Sequence, residues 1–201
     1  MKKYLLAVAG LMVLAGCKPH DHSGDGSYDT VLSESWMSFT QGDYQAALKS
    51  FNQAKSKNPD ASEPYAGAGW TYIQLNRLSK AYDEFSAGSL KQDSVPDLFA
   101  GWGFVLNAQK DYAGSNARIA TTLTLDANWN FSYGLGLSAT DLHVTKAENY
   151  FLLGDYVHSL SEVKILAPGF DADVLTGAGQ AALVKEIEML KSISKIRFSI
   201  K

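Results

Sequence analysis

The sequence predicts an all-α chain, a solenoid of helical hairpins stacked one after another and closed by a terminal helix. Two observations carry this. Apolar residues recur at helical spacing from about Thr30 onward. One phrase is also written four times: QGDYQAALKSFNQAKSKNP from Gln41, LNRLSKAYDEFSAGSLKQD from Leu75, AQKDYAGSNARIATTLTLD from Ala108 and LGDYVHSLSEVKILAP from Leu153. The first three copies keep a 34-residue interval, as Tyr44, Leu78 and Tyr112 show; so do Ala47, Ala81 and Ser115, and Phe51, Phe85 and Ile119. A fixed period of this length means stacked supersecondary units, because a lone hairpin cannot cover its own apolar side.

The elements follow in order. Lys2 and Lys3, the apolar run Tyr4 to Leu14 and the small residues Ala15 and Gly16 read as a secretion signal over 1–16. Residues 17–28, polar and rich in Gly and Ser, read as a flexible tether. His20, Asp21 and His22 sit in that tether, which preorganises no metal site, and no metal is expected. The repeats are expected over 29–169. The first helix carries Leu32, Trp36 and Phe39, and Asp43 after Gly42 is placed to cap the second. On that second helix Ala47, Leu48, Phe51 and Ala54 share one side, and Asn58-Pro59 stops it. The fourth copy comes after ten extra residues, with Tyr156, Ser159 and Val163 in the same roles. The added length falls in DANWNFSYGLGLSAT, Asp126 to Thr140, either a turn packed over the solenoid or an exposed loop with Trp129, Phe131 and Tyr133 available for contacts. Residues 170–201 read as a cap, with a helix from about Gly179 to Ile193 burying Leu183, Ile187, Leu190 and Ile193. Ile196 to Ile200 is a frayed end or a short strand.

The pattern resembles the tetratricopeptide repeat family. Tyr65, Ala68-Gly69, Tyr72, Ala81 and Phe85 carry the resemblance in the second copy; Gly42-Asp43-Tyr44, Ala47, Phe51, Ala54 and Pro59 carry it in the first. The third keeps Phe99, Trp102-Gly103, Tyr112 and Ile119, and the fourth Tyr150, Gly154-Asp155-Tyr156 and Val163. The resemblance implies a right-handed solenoid whose first helices line a concave side where partners bind. By the same register Trp36, Trp70 and Phe104 face that groove, with Phe39, Ile73 and Asn107 one turn further on. Aromatics replace the Asn and Lys with which many such arrays grip an acidic tail. The stripe is either a partner anchor or inter-repeat core. A second resemblance lies in Leu14-Ala15-Gly16-Cys17, which is similar to the lipobox of bacterial lipoproteins. It implies lipidation of Cys17, a membrane anchor through it and, with Lys18 following, the outer membrane facing the periplasm.

Charge agrees with a lipid anchor. Without Lys2 and Lys3 the chain has 16 basic against 21 acidic side chains, a net of −5, so no basic patch holds it to anionic membrane and none suggests nucleic acid. Cys17 is the only cysteine, and no disulfide framework exists within the chain. No phosphate loop, nucleophile elbow or zinc motif is present, no cofactor is implied, and acidic residues read as a solvated face. The expectation is a lipid-anchored envelope scaffold holding a protein or peptide partner, not an enzyme. The alternative is a cell-wall or glycan binder using groove and loop aromatics; an accessory subunit of an enzyme stands third.

Overall fold

Nine α-helices follow one another along the described residues, 26–194, of the computed structural model; these residues contain no strand, only one isolated bridge between Asn130 and Ser138. The signal segment, Cys17, the metal-capable trio His20, Asp21 and His22, and Ile196 to Ile200 lie outside the described residues. Four hairpins succeed each other: α1 (Tyr28–Thr40) with α2 (Tyr44–Lys57), α3 (Glu63–Gln74) with α4 (Leu78–Gly88), α5 (Pro96–Ala108) with α6 (Tyr112–Leu125), and α7 (Ala139–Leu152) with α8 (Tyr156–Leu166). A last helix, α9 (Gly177–Ile193), follows. The first helices lie side by side in the order α1, α3, α5, α7, α9, so the last takes the place a fifth hairpin's first helix would occupy. This is an α-solenoid.

Each hairpin turns at one residue with left-handed backbone: Gly42, Asn76, Lys110 and Gly154. The first three stand at the repeat interval. Asp43, Asp111 and Asp155 then cap the second helices through the backbone N–H three residues on, satisfying a donor the helix leaves open.

Close approach depends on small residues. A Cβ on Gly69 would lie 2.5 Å from the Phe85 ring, and one on Gly103 2.7 Å from Ile119, each on the partner helix of the same hairpin. Ser115 and Ser159 take the small position where Ala47 and Ala81 stand in earlier copies. Their hydroxyls donate across the hairpin to the Gly103 and Ala147 carbonyls at 2.8 and 2.7 Å, so a polar group is buried without a lost bond.

α5 is apolar on every side, with Leu98 to Leu106 all buried, because it sits mid-array between α3, α4, α6 and α7. Two apolar clusters result. One runs through α1 to α6 and takes in Trp129, Phe131, Leu137 and Leu142; the other joins α7 and α8 to Leu183, Ile187 and Leu190 of α9. Two expectations change at the C-terminus. The helix starts two residues earlier, at Gly177, because Thr176 caps it, and Ile193 is 73% exposed because it lies past the helices that α9 covers.

Candidate functional site

The concave face is where the first helices converge, and the segment after α6 returns to lie in it. Its residues alternate. Trp129, Phe131 and Tyr133 turn inward; Asn130, Ser132 and Gly134 are exposed. That period of two is an extended backbone, closed at its base by Phe131 N–H to the Leu137 carbonyl and Ala139 N–H to the Trp129 carbonyl. Ser138 and Asp141 then form the capping box that starts α7.

The inward rings meet the predicted stripe. Phe131 lies 4.4 Å from Trp70, and 6.0 Å from both Trp36 and Phe39, between ring centroids. Tyr133 stacks on Trp36 at 3.6 Å with the rings parallel within 2°. Trp70 also meets Phe104, and Ile73 is buried in the same cluster. Trp129 and Phe131 are 2% exposed. The stripe therefore belongs to both readings offered for it: it faces the concave side, and it is core because the chain's own segment fills that side. Phe39, Trp70, Ile73 and Phe104 are closed over. Asn107 instead donates from its side-chain amide to Asn149 Oδ1 at 2.7 Å, and Asn149 Nδ2 donates to Ser115 and Asn116, tying α5 and α6 to α7.

Two carboxylates organise the indoles. The Trp36 Nε1–H donates to Glu63 Oε1 at 3.0 Å, and Tyr133 reaches the same oxygen at 3.5 Å. One repeat on, Trp70 donates to the Asp97 backbone carbonyl at 2.8 Å, and Trp129 to its carboxylate at 2.6 Å. Asp29, Glu63 and Asp97 stand 34 residues apart, each in the first turn of a first helix. The solvated-face reading is corrected here: Trp129 and the surrounding rings cover Asp97. Burial pushes its carboxyl up to about 6, against the opposing effect of the Trp129 hydrogen bond and with the charges of Glu63 and Asp126 adding to the rise. The 34-residue interval that marked the aromatics also marked these acids.

One end of the concave face stays open. A cavity of about 530 Å³ lies against α1, lined by Asp29, Leu32, Trp36 and Met37 of that helix, by Glu63 and by Tyr133. Met37 is 57% exposed at its edge. Neither Asp29 nor Glu63 is paired with a lysine, arginine or histidine among the described residues. Burial, with the nearby charge of Glu63 next in effect, pushes the Tyr28 and Tyr133 phenols up to about 12.

Residues 38–100 match the model of the tetratricopeptide repeat family. The match covers the end of the first hairpin, the whole second hairpin and the start of the third. Solved structures extend the likeness of fold over most of the array. YrrB, a tetratricopeptide repeat protein with an unusual peptide-binding site, superposes with a TM-score of 0.62 at 16% identity, over 81% of this chain and 86% of that one. A tetratricopeptide repeat protein from Parabacteroides merdae gives 0.51 at 16%, over 83% and 59%. MamA from Desulfovibrio magneticus, from residue 41 on, gives 0.55 at 10%, over 71% and 75%. No curated protein sequence matches the chain significantly. What these proteins share with this chain is the fold, a succession of stacked helical hairpins. No described helix is long and apolar enough to cross a membrane.

Proposed function

We propose that this protein is a lipid-anchored scaffold of the bacterial envelope that holds a segment of a partner protein at the α1 end of its concave face. The observation that carries the reading is the open cavity against α1, lined by Trp36, Met37 and Glu63 and by Tyr133 of the inserted segment. The likeness to YrrB supports a peptide as occupant. The anchor rests on Lys2, Lys3, the apolar run and the Leu14-Ala15-Gly16-Cys17 stretch; two acyl chains hold a protein stably where one does so only marginally. Lys18 favours the outer membrane, facing the periplasm. Of the loop aromatics that favoured a glycan, Trp129 and Phe131 are buried and Tyr133 lines the cavity, so the glycan alternative narrows to Tyr133.

The test is a photoreactive residue placed at Met37 in living cells, compared with one at Lys49 on the exposed side of α2. A single partner protein crosslinked from Met37 and absent from Lys49 is the expected result. Adducts from Lys49 alone would refute the concave reading. Palmitate incorporation lost in Cys17→Ser, together with release from the membrane fraction, checks the anchor.

A further inference from the structure

The chemistry of the cavity narrows its occupant. Trp36 and Tyr133 both line it; their rings are stacked on each other and Trp36 is buried, so the half-buried Tyr133 offers the accessible aromatic surface, and the two ionisable lining groups besides that tyrosine are carboxylates. Glu63 is fixed in place before any partner arrives, held by the Trp36 indole and the Tyr133 hydroxyl at 3.0 and 3.5 Å. Asp29 reaches the same space from α1, and no described cation answers either charge. An aromatic wall with carboxylates at its edge attracts a cation twice, through the ring quadrupole and through charge-assisted hydrogen bonds.

Resting on the interaction reading above, we propose that this cavity takes an arginine side chain presented by the partner's docked segment. Its guanidinium is flat enough to lie along the ring wall, and its forked donors fit a carboxylate oriented in advance; a lysine ammonium is a more strongly hydrated point charge that does neither as well. Met37 and Leu32 supply apolar surface for the residues flanking the arginine. The sign is the reverse of acidic-tail recognition: here the scaffold is acidic and the ligand basic.

The experiment titrates the full chain in detergent with Ac-Ala-Arg-Ala-NH2 and with its citrulline analogue, which has the same shape and no charge. The readout is the Trp36 indole N–H signal, assigned by comparison with Trp36→Phe. We expect a saturable shift with arginine, affinity at least about tenfold weaker with citrulline, and loss of that preference in the Asp29→Asn, Glu63→Gln double variant. Both substitutions keep an acceptor oxygen at the same place; because Glu63 is the acceptor of the Trp36 indole, that signal moves in the variant, and an unchanged far-ultraviolet circular dichroism spectrum and melting transition without peptide verify that the double variant is folded. Equal binding of the two peptides, no shift with either, or a preference that survives the double substitution overturns the proposal. Crosslinking from Met37 separates this from the scaffold reading: a trapped partner whose contacting segment lacks arginine sinks the cation site and leaves the scaffold standing.

Discussion

Glu63 and Asp97 occupy the same place in successive repeats, yet their surroundings differ completely. Each accepts from an indole, Glu63 from Trp36 and Asp97 from both Trp70 and Trp129. Asp97 is roofed by Trp129 and its carboxyl is pushed up to about 6. Glu63 lines an open cavity. One register therefore yields a covered position in the middle of the array and a cavity-lining position at its end. What differs is the cover from one segment: the buried Trp129 closes on Asp97, whereas the half-buried Tyr133 leaves space beside Glu63.

The largest test of that contrast is Phe131→Ala. The ring is buried among Trp36, Phe39 and Trp70, so truncation should cost about 3–5 kcal/mol by equilibrium denaturation, a large share of a typical stability. A loss below about 1 kcal/mol would mean the segment merely rests on the groove.

Asp97→Asn comes next, read through pH. With the folded pKa raised to about 6 from 3.8, the native state holds a proton that the unfolded chain has released between those values. Stability from this group is therefore greatest below pH 4 and is lost as pH rises through 6. The loss is roughly 3 kcal/mol at full effect. The charges facing it are Glu63 and Asp126, and neither is removed by the substitution. Compared with the parent, the Asp97→Asn variant should gain stability at about pH 7.5, gain little at about pH 4, and keep the Trp129 hydrogen bond through its amide oxygen. Melting curves at the two pH values decide it.

At the open end the same kind of change should be slight. Glu63→Gln retains an acceptor for Trp36 and should shift stability by about 1 kcal/mol or less at neutral pH. A gain as large as that of Asp97→Asn would show that the two ends are equally closed. Smallest is Lys110→Gly. Lys110 turns the middle hairpin at φ 64°, where Gly42 serves the first; relief of the left-handed strain should raise stability by about 0.5–1 kcal/mol in the same denaturation assay.

The helices and their stacking were readable from the sequence because both are local signals. Spacing within one helix places Ala47, Phe51 and Ala54 on one side, and a repeated interval places Gly69 and Gly103 against Phe85 and Ile119. The destination of the inserted segment was not readable. Its alternation of Trp129, Phe131 and Tyr133 declares an extended stretch with one apolar side, but nothing local tells which distant surface that side meets. The open cavity was hidden for the same reason, since its wall is made jointly by Trp36 and Tyr133. Asp29, Glu63 and Asp97 did share the repeat interval; scattered acids are so common on helix surfaces that the interval alone did not separate them.

The inserted segment also changes how such a molecule folds. A plain array behaves as a row of neighbours, each steadied by the next, and can ravel from either end. Here Phe131 and Tyr133, encoded after the third hairpin, clasp the first, and the row becomes a loop fastened to itself. The opening hairpins remain incomplete until those later residues have left the ribosome. Loss of order should then spread through three hairpins at once, rather than one at a time.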